Sequence, residues 1–285
     1  MQNARQNNTK HYYFFSYLLI VALFFLPQCG KRRKLTKKEA ILKKESKEQR
    51  PFRYKKIERL TFDEALAVYT YYKKQNKKPQ MGQVIERIIT LTTDHDFIYP
   101  LLIELADLMF EDENYKKAEE FYGQHAAMYP GGADRDYVKI RQIESAYKQI
   151  LDVHRDQTKT KETRKLIESY LPTLKPENPN REKIQKILDQ CLMILLESEI
   201  SYINFYIHKY HTLQQPKALD AAFKRLENIN TTIIPFIKTE QYQNAHKEIA
   251  AFFADKQQKR DTSNIEKLIK LIQIKKNPLP MLSRF

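Results

Sequence analysis

The stretch from Leu101 to Pro130, LLIELADLMFEDENYKKAEEFYGQHAAMYP, decides the fold class. Its apolar residues recur every three to four positions, a polar turn interrupts them at 111–114, and the pattern then resumes until the proline. This arrangement predicts two short helices joined by a tight turn. Because neither helix can bury its apolar face alone, the pair requires further helices beside it.

The spacing inside this stretch matches one class of helical repeat. Counted back from Pro130 as position 32, its apolar residues fall at positions 4, 7, 8, 11, 20 and 24, which is the tetratricopeptide (TPR) pattern. In that pattern Ala106 and Ala118 are small because the two helices approach closely there. The residues to which we assign repeat packing are Leu102, Leu105, Ala106, Ala118, Tyr122, Pro130 and, in a later unit, Ala222.

Helical periodicity extends to both sides of this unit. From residue 60 onward no strand-like alternation persists, so the sequence predicts an all-α chain of paired helices over residues 60–255. Thr61 and Glu64 predict a capping box at the first helix. The predicted helices cover 62–73, 81–88, 101–110, 115–126, 137–153, 161–170, 184–209 and 218–229, with a weaker last pair around 242–253.

Residues 256–285 are predicted to form a basic C-terminal tail. The tail contains one amphipathic stretch with helical spacing. Two interpretations of this stretch stay open, a helix that docks on a partner or membrane surface and a frayed chain end. Its apolar residues are Ile265, Leu268, Ile269 and Ile272.

The N-terminus carries an apolar run of fifteen residues, 12–26, preceded by Arg5 and Lys10. As a helix this run is roughly 22 Å long, short for a bilayer core of about 30 Å and typical of a signal peptide. The residues that follow, Leu26-Pro27-Gln28-Cys29, resemble the lipobox of bacterial lipoproteins, although Gln28 replaces the usual small residue. We therefore interpret residues 1–28 as a signal peptide and Cys29 as the lipidated N-terminus.

The basic residues that follow Cys29 leave two alternatives open. An uncleaved N-terminal anchor is favoured by the positive-inside rule, because four positive charges directly follow the apolar run, and a different sorting signal is the second alternative. The four membrane-proximal basic residues are Lys31, Arg32, Arg33 and Lys34.

The net charge of +15 is concentrated in one segment. Residues 31–60 contain fourteen Lys and Arg against four Glu, so the folded part is close to neutral. We assign residues 29–59 to a basic, largely disordered tether. Such a segment binds anionic lipid or nucleic acid, depending on the compartment.

Known catalytic motifs are absent from the sequence. The five glycines, at 30, 82, 123, 131 and 132, form neither a P-loop nor a dinucleotide fingerprint. The triplet Asp94-His95-Asp96 is assigned to a solvated loop, and Cys191 to a buried apolar position. We therefore expect a non-enzymatic protein with no cofactor and no metal site.

Three stretches carry a resemblance to a known family. They are NYKKAEEFY (114–122) running to MYP (128–130), residues 134–147 followed by DQT (156–158), and LLESEISYINFY (195–206) followed by AA (221–222). Over roughly residues 60–235 the chain resembles the BamD family of outer-membrane assembly lipoproteins. It departs from the family in its long basic tether, its insertion at 209–217 and its weak fifth pair.

The resemblance implies a right-handed superhelix of about five TPR-like pairs, lipid-anchored to the outer membrane on its periplasmic face. It also implies that the N-terminal pairs bind unfolded outer-membrane proteins. The C-terminal pairs would dock the POTRA region of a BamA-like barrel insertase.

Two other functions remain open. One is a generic TPR adaptor or chaperone, tethered to the membrane by an uncleaved N-terminal helix. The other is a nucleic-acid-binding arm, which requires a cytoplasmic orientation and has no base-reading fold beside it. We therefore expect no nucleic acid among the partners.

Overall fold

The computed structural model describes residues 52, 55–255 and 257–273, and within them the chain is all-α with no strand. Ten α-helices fill these residues, together with three short 3-10 turns. The helices are α1 Phe62–Lys74, α2 Lys78–Leu91, α3 His95–Glu111, α4 Tyr115–Met128, α5 Arg135–Lys148, α6 Thr158–Tyr170, α7 Arg181–Leu213, α8 Pro216–Thr232, α9 Glu240–Ala254 and α10 Thr262–Gln273.

The helices form five consecutive pairs, α1/α2 to α9/α10. Each helix packs mainly against the helix before it and the helix after it. This nearest-neighbour packing is what stacked helical hairpins produce. The long helix α7, with 33 residues and a length of about 50 Å, contacts both α6 and α8.

Capping residues in the sequence set where several helices begin. Thr61 and Glu64 form the predicted capping box at α1, in which the Glu64 carboxylate accepts the Thr61 backbone N–H at 3.1 Å. The Asn114 side chain accepts the Lys117 backbone N–H at 3.4 Å and caps α4. The capping box is therefore confirmed.

Helix α3 begins six residues before the predicted start at 101. Pro100 lies within its second turn, where its missing N–H removes one backbone hydrogen bond. Asp94 compensates as N-cap, because its carboxylate accepts the N–H groups of Asp96 at 3.0 Å and Phe97 at 3.4 Å. The interpretation of Asp94-His95-Asp96 as a loop was therefore wrong, since this triplet starts a helix.

A buried glutamine organises the loop between α5 and α6. Gln157, 7% exposed, donates its side-chain amide to the carbonyl oxygens of Asp152 and Arg155 at 2.8 and 3.0 Å. Its own side-chain oxygen accepts from the Thr160 hydroxyl at 2.7 Å. These bonds satisfy polar groups of the loop that follows α5, which ends at Lys148, five residues earlier than predicted.

The core is divided along the chain. One buried cluster joins α1, α2 and α3, a smaller one joins α3, α4 and α5, and the largest runs from α5 to α10. In the smaller cluster Ala106, Ala118 and Tyr122 are 0% exposed and lie beside Val138. Consecutive clusters therefore share a helix, α3 between the first two and α5 between the last two.

The amphipathic stretch of the C-terminal tail belongs to the folded core. It forms α10, and its four apolar residues join the largest buried cluster at 0 to 6% exposure. The Gln241 side chain of α9 also donates to the backbone carbonyls of Leu271 and Ile272 at 3.4 and 3.3 Å. The short amphipathic helix predicted in residues 256–285 is therefore confirmed. The boundary at residue 255 was wrong, because α10 buries this face within the chain as the second helix of the fifth pair.

The start of the folded part also differs slightly from the prediction. A 3-10 turn spans Ile57–Arg59, and Ile57 packs on the first buried cluster, so the last residues of the 29–59 tether segment belong with the first pair. The signal peptide, Cys29 and Lys31 to Lys34 lie outside the described residues. In the part of the chain that the structure describes, none of the helices is long and apolar enough to cross a bilayer.

Candidate functional site: a polar face on the first helices

Side chains from the first helices of four consecutive pairs meet in a series of polar contacts, which we call the polar face. They come from α1, α3, α5 and α7. Its members are Tyr69, Lys73, Glu104, Asp107, Tyr137, Arg141, Glu144 and Lys183.

The first bridge joins α1 to α3. The Tyr69 hydroxyl donates to Glu104 Oε2 at 2.7 Å, and Lys73 Nζ lies 3.0 Å from Glu104 Oε1. Lys73 also donates to the Tyr69 hydroxyl at 2.6 Å, which raises the pKa of Lys73. Partial burial raises the pKa of Tyr69. At neutral pH the phenol therefore stays protonated and the lysine charged, as this bridge requires.

The second bridge joins α3 to α5 and centres on Asp107. Its Oδ1 atom accepts the Tyr137 hydroxyl at 2.7 Å and also the hydroxyl of the fully buried Tyr122 on α4. Burial and the Asp107 carboxylate raise the pKa of Tyr137 to about 12 and that of Tyr122 further in the same direction. Both phenols therefore act as donors at any physiological pH.

Arg141 on α5 completes this second bridge. Its guanidinium lies 3.6 Å from the centre of the Phe110 ring on α3, and its Nε donates to the Tyr122 hydroxyl at 3.3 Å. Such a stack on an aromatic face is favourable when it is partly desolvated. Arg141 therefore links α3, α4 and α5 through one side chain.

The third bridge joins α5 to α7. Glu144, only 9% exposed, accepts Arg141 Nη1 at 3.1 Å and also pairs with Lys183 Nζ. A largely buried carboxylate that loses its cationic partners costs about 3–5 kcal/mol. The two cations therefore fix Glu144, and with it the position of α5 against α7.

The second helices are bridged in the same way. Lys117 on α4 lies 3.1 Å from Glu86 on α2, and Lys159 on α6 lies 2.7 Å from Glu119 on α4. First helices therefore contact first helices, and second helices contact second helices. This relation is what hairpins stacked in one orientation produce.

The polar face is partly accessible to a partner. Tyr137 is 43% exposed, and the side chains of Lys73 and Lys183 are 56% and 52% exposed. The polar face contains three cations and three carboxylates, so its net charge is zero. It offers a partner hydroxyl groups and paired charges. Such a face suits a polar, uncharged chain more than a phosphate or a nucleic acid.

The described residues contain no cluster of metal-ligating side chains. No three His, Cys, Asp or Glu side chains come together as metal ligands within residues 55–255 and 257–273. Cys191 is fully buried, and burial raises the pKa of its thiol to about 12, so it is not a reactive nucleophile.

The residues predicted for repeat packing have mixed outcomes. Leu102, Leu105 and Ala222 are at most 2% exposed, as are Ala106, Ala118 and Tyr122. Pro130 is exposed in the turn after α4, so it does not pack between helices. Its effect is local, because a proline disfavours helical backbone at the preceding residue, here Tyr129.

Sequence reasoning missed the polar face. Glu104 and Asp107 are three residues apart on one predicted helix, and Tyr137, Arg141 and Glu144 are four and three residues apart on another. Polar residues at that spacing are usually a solvated helix surface. Complementary charges on successive first helices are the signal that points to contacts between helices.

Fold and site together define a class of protein, an all-helical chain of consecutive helix pairs with a polar face on its first helices. No protein-family model matches the chain, and no curated protein matches it either.

Proposed function

We propose that this chain is a non-enzymatic, lipid-anchored scaffold that helps to assemble and insert outer-membrane β-barrel proteins. In this proposal it is a BamD-like protein, whose TPR-like pairs form a right-handed superhelix at the periplasmic face of the outer membrane. It binds segments of unfolded barrel proteins and the POTRA region of a BamA-like insertase.

The polar face is the observation that carries the proposal. It runs over four consecutive first helices, and the partly exposed Tyr137 lies in its middle. An extended polypeptide offers backbone donors and acceptors about every 3.3 Å, which hydroxyl and paired charged groups can bind without requiring one sequence. A protein that receives many different unfolded chains needs this tolerance.

A second surface supports the docking of a folded partner. On α7 the rings of Tyr202 and Phe205 are 45% and 58% exposed. The Arg225 guanidinium lies 4.5 Å from the centre of the Tyr202 ring, and its Nη1 is 2.5 Å from Glu199, so the ring is held in place. Exposed aromatic side chains with fixed positions are typical anchors of protein interfaces.

Site-specific photo-crosslinking tests the role of the polar face. A photoreactive amino acid replaces Tyr137 in the full chain, and a matched control replaces Gln124, which is exposed on the second helix α4. A purified, urea-unfolded outer-membrane barrel protein is then added by dilution. We expect crosslinks from position 137 and few from 124, and equal yields at the two positions would contradict the proposal.

The alternative function is a generic TPR adaptor or chaperone held by an uncleaved N-terminal helix, favoured by the basic residues 31–34. Mass spectrometry of the mature N-terminus separates the two. A mature N-terminus at Cys29 with a diacylglyceryl group on its sulfur and an acyl group on its amino nitrogen supports the lipoprotein. An intact Met1 supports the adaptor. Protease treatment of cells with a permeabilised outer membrane gives a second test, because a periplasmic domain is cut and a cytoplasmic one survives.

A further inference from the structure

A fully buried histidine lies near the junction of the second and third pairs. His125 on α4 is 0% exposed, and both of its ring nitrogens lack a hydrogen-bond partner. Two tyrosine rings surround it, with centroids at 4.5 Å for Tyr99 of α3 and 5.0 Å for Tyr129 after α4. A buried imidazole without polar partners is costly, so its presence calls for an explanation.

The surrounding tyrosines are held by their own hydrogen bonds. The Tyr99 hydroxyl accepts the Asp134 backbone N–H at 3.1 Å and donates to the Asp134 carboxylate at 3.2 Å. The Tyr129 hydroxyl donates to the His95 backbone carbonyl at 2.9 Å. The cage around His125 therefore ties the start of α3 to the turn that leads into α5.

The titratable groups around this cage favour different charge states of His125. From α3 come Tyr99 and, further out, the exposed His95. From the turn comes Asp134, whose carboxylate favours the imidazolium. The Asp96 and Asp94 carboxylates at the start of α3 act on the Tyr129 hydroxyl of the cage. Asp136 in the first turn of α5 is bound to the Tyr170 hydroxyl at 3.0 Å.

Burial outweighs the Asp134 carboxylate, so the pKa of His125 is lowered from its ordinary value of 6.5. The packed cage therefore keeps His125 neutral. When the cage opens, the exposed imidazole binds a proton at its ordinary pKa. The contribution of the neutral His125 to the stability of the packed junction is therefore fully present above pH 6.5, and it is lost as the pH falls below that value.

We propose that His125 is a pH-sensitive contact, which loosens the junction between the second and third helix pairs on acidification. Helix α5 carries Tyr137 and Arg141, so opening this junction also disturbs the polar face at its second bridge. The proposal depends only on the packing around His125. The pH-sensitive contact can therefore be refuted without refuting the proposed function, and it can be confirmed even if the proposed function is wrong.

Hydrogen exchange measured by mass spectrometry on the full chain in detergent micelles tests this proposal. Peptides from α4 and the 129–134 turn are followed at pH 7.5 and 5.5, after correction for the intrinsic pH dependence of exchange. Because the packed state disfavours the protonated imidazole, the opening equilibrium should rise between these pH values, by up to about tenfold. Peptides from α8 provide the internal reference.

His125→Phe keeps a ring but removes the titration, and His208→Phe is the matched control at an exposed position. We expect this rise in the opening equilibrium in the wild type and in His208→Phe, and a flat response in His125→Phe. An unchanged opening in the wild type, or the same rise in His125→Phe, would overturn the proposal.

A second measurement needs no variant. In the wild-type protein, the His125 ring signal is assigned by its contacts with the Tyr99 and Tyr129 rings and followed by NMR as the pH falls. A titration midpoint below 6.5 supports the proposal, and a midpoint at or above 6.5 overturns it.

Discussion

Replacing Asp107 by alanine removes the acceptor shared by two phenolic hydroxyls, Tyr137 at 2.7 Å and the fully buried Tyr122. A hydrogen bond to a charged group contributes about 1.5–3 kcal/mol, and a buried donor left without an acceptor incurs a similar cost. Tyr137 is 43% exposed, so water replaces most of its bond. We therefore expect Asp107→Ala to lower the free energy of unfolding by about 2–3 kcal/mol, mostly through Tyr122.

A double-mutant cycle isolates this contribution. Tyr122→Phe removes the hydroxyl alone, and we expect a loss of about 1 kcal/mol, because Asp107 keeps Tyr137 as a donor. Once Asp107 is alanine, removing the Tyr122 hydroxyl eliminates an unpaired group. The double variant should therefore lose about 1–2 kcal/mol less than the sum of the single variants.

Urea unfolding followed by circular dichroism measures these values, and hydrogen exchange locates them. Protection should fall in α3, α4 and α5, whereas α8 to α10 should keep theirs, because stacked pairs transmit stability mainly to their neighbours. A loss below about 0.5 kcal/mol for Asp107→Ala, or strict additivity in the cycle, would show that the bond between Asp107 on α3 and Tyr122 on α4 does not stabilise the fold.

Two further predictions concern the joints between pairs. In Gly132→Ala the new Cβ would lie 2.7 Å from the Tyr99 hydroxyl, which two bonds to Asp134 hold in place, so we expect a loss of about 1–3 kcal/mol in thermal or urea unfolding. Gly131→Ala is the matched control with no atom within 4 Å, and equal effects would contradict the packing at this turn. Ile269→Ala on α10 should cost about 2–5 kcal/mol because Ile269 is 3% exposed in the largest core cluster, whereas Lys270→Ala at the exposed neighbour should be neutral. If both α10 variants unfold like the wild type, α10 is not part of the core.

Much of the fold follows from apolar spacing alone. Ala106 and Ala118 are fully buried where two helices approach so closely that only small side chains fit, and the large Tyr122 fills the space beside them. Helix ends that depend on a side-chain cap were also predictable, as Thr61 and Glu64 show. These features depend on residues close to one another in the chain, so they can be predicted from the sequence.

The features that were missed depend on distant parts of the chain. The apolar face of α10 is visible in the sequence, but the surface that covers it is formed by other helices. The start of α3 is an exception, because its Asp94 cap is local, and the prediction missed it by ending the loop at Pro100. From the sequence, Glu144 resembles a residue on the solvated side of a helix. Its burial follows from its contact with Lys183 of α7, which is distant in the sequence.

Binding of an unfolded barrel protein to the full chain tests the scaffold proposal most directly. Fluorescence anisotropy with a labelled, urea-unfolded outer-membrane barrel protein compares the wild type with Tyr137→Ala on the polar face and Tyr202→Ala on α7. We predict that the affinity falls by about tenfold or more, at least about 1.4 kcal/mol, in Tyr137→Ala and stays unchanged in Tyr202→Ala. No measurable binding by the wild type, or the same affinity in Tyr137→Ala, would contradict a role of the polar face in receiving unfolded chains.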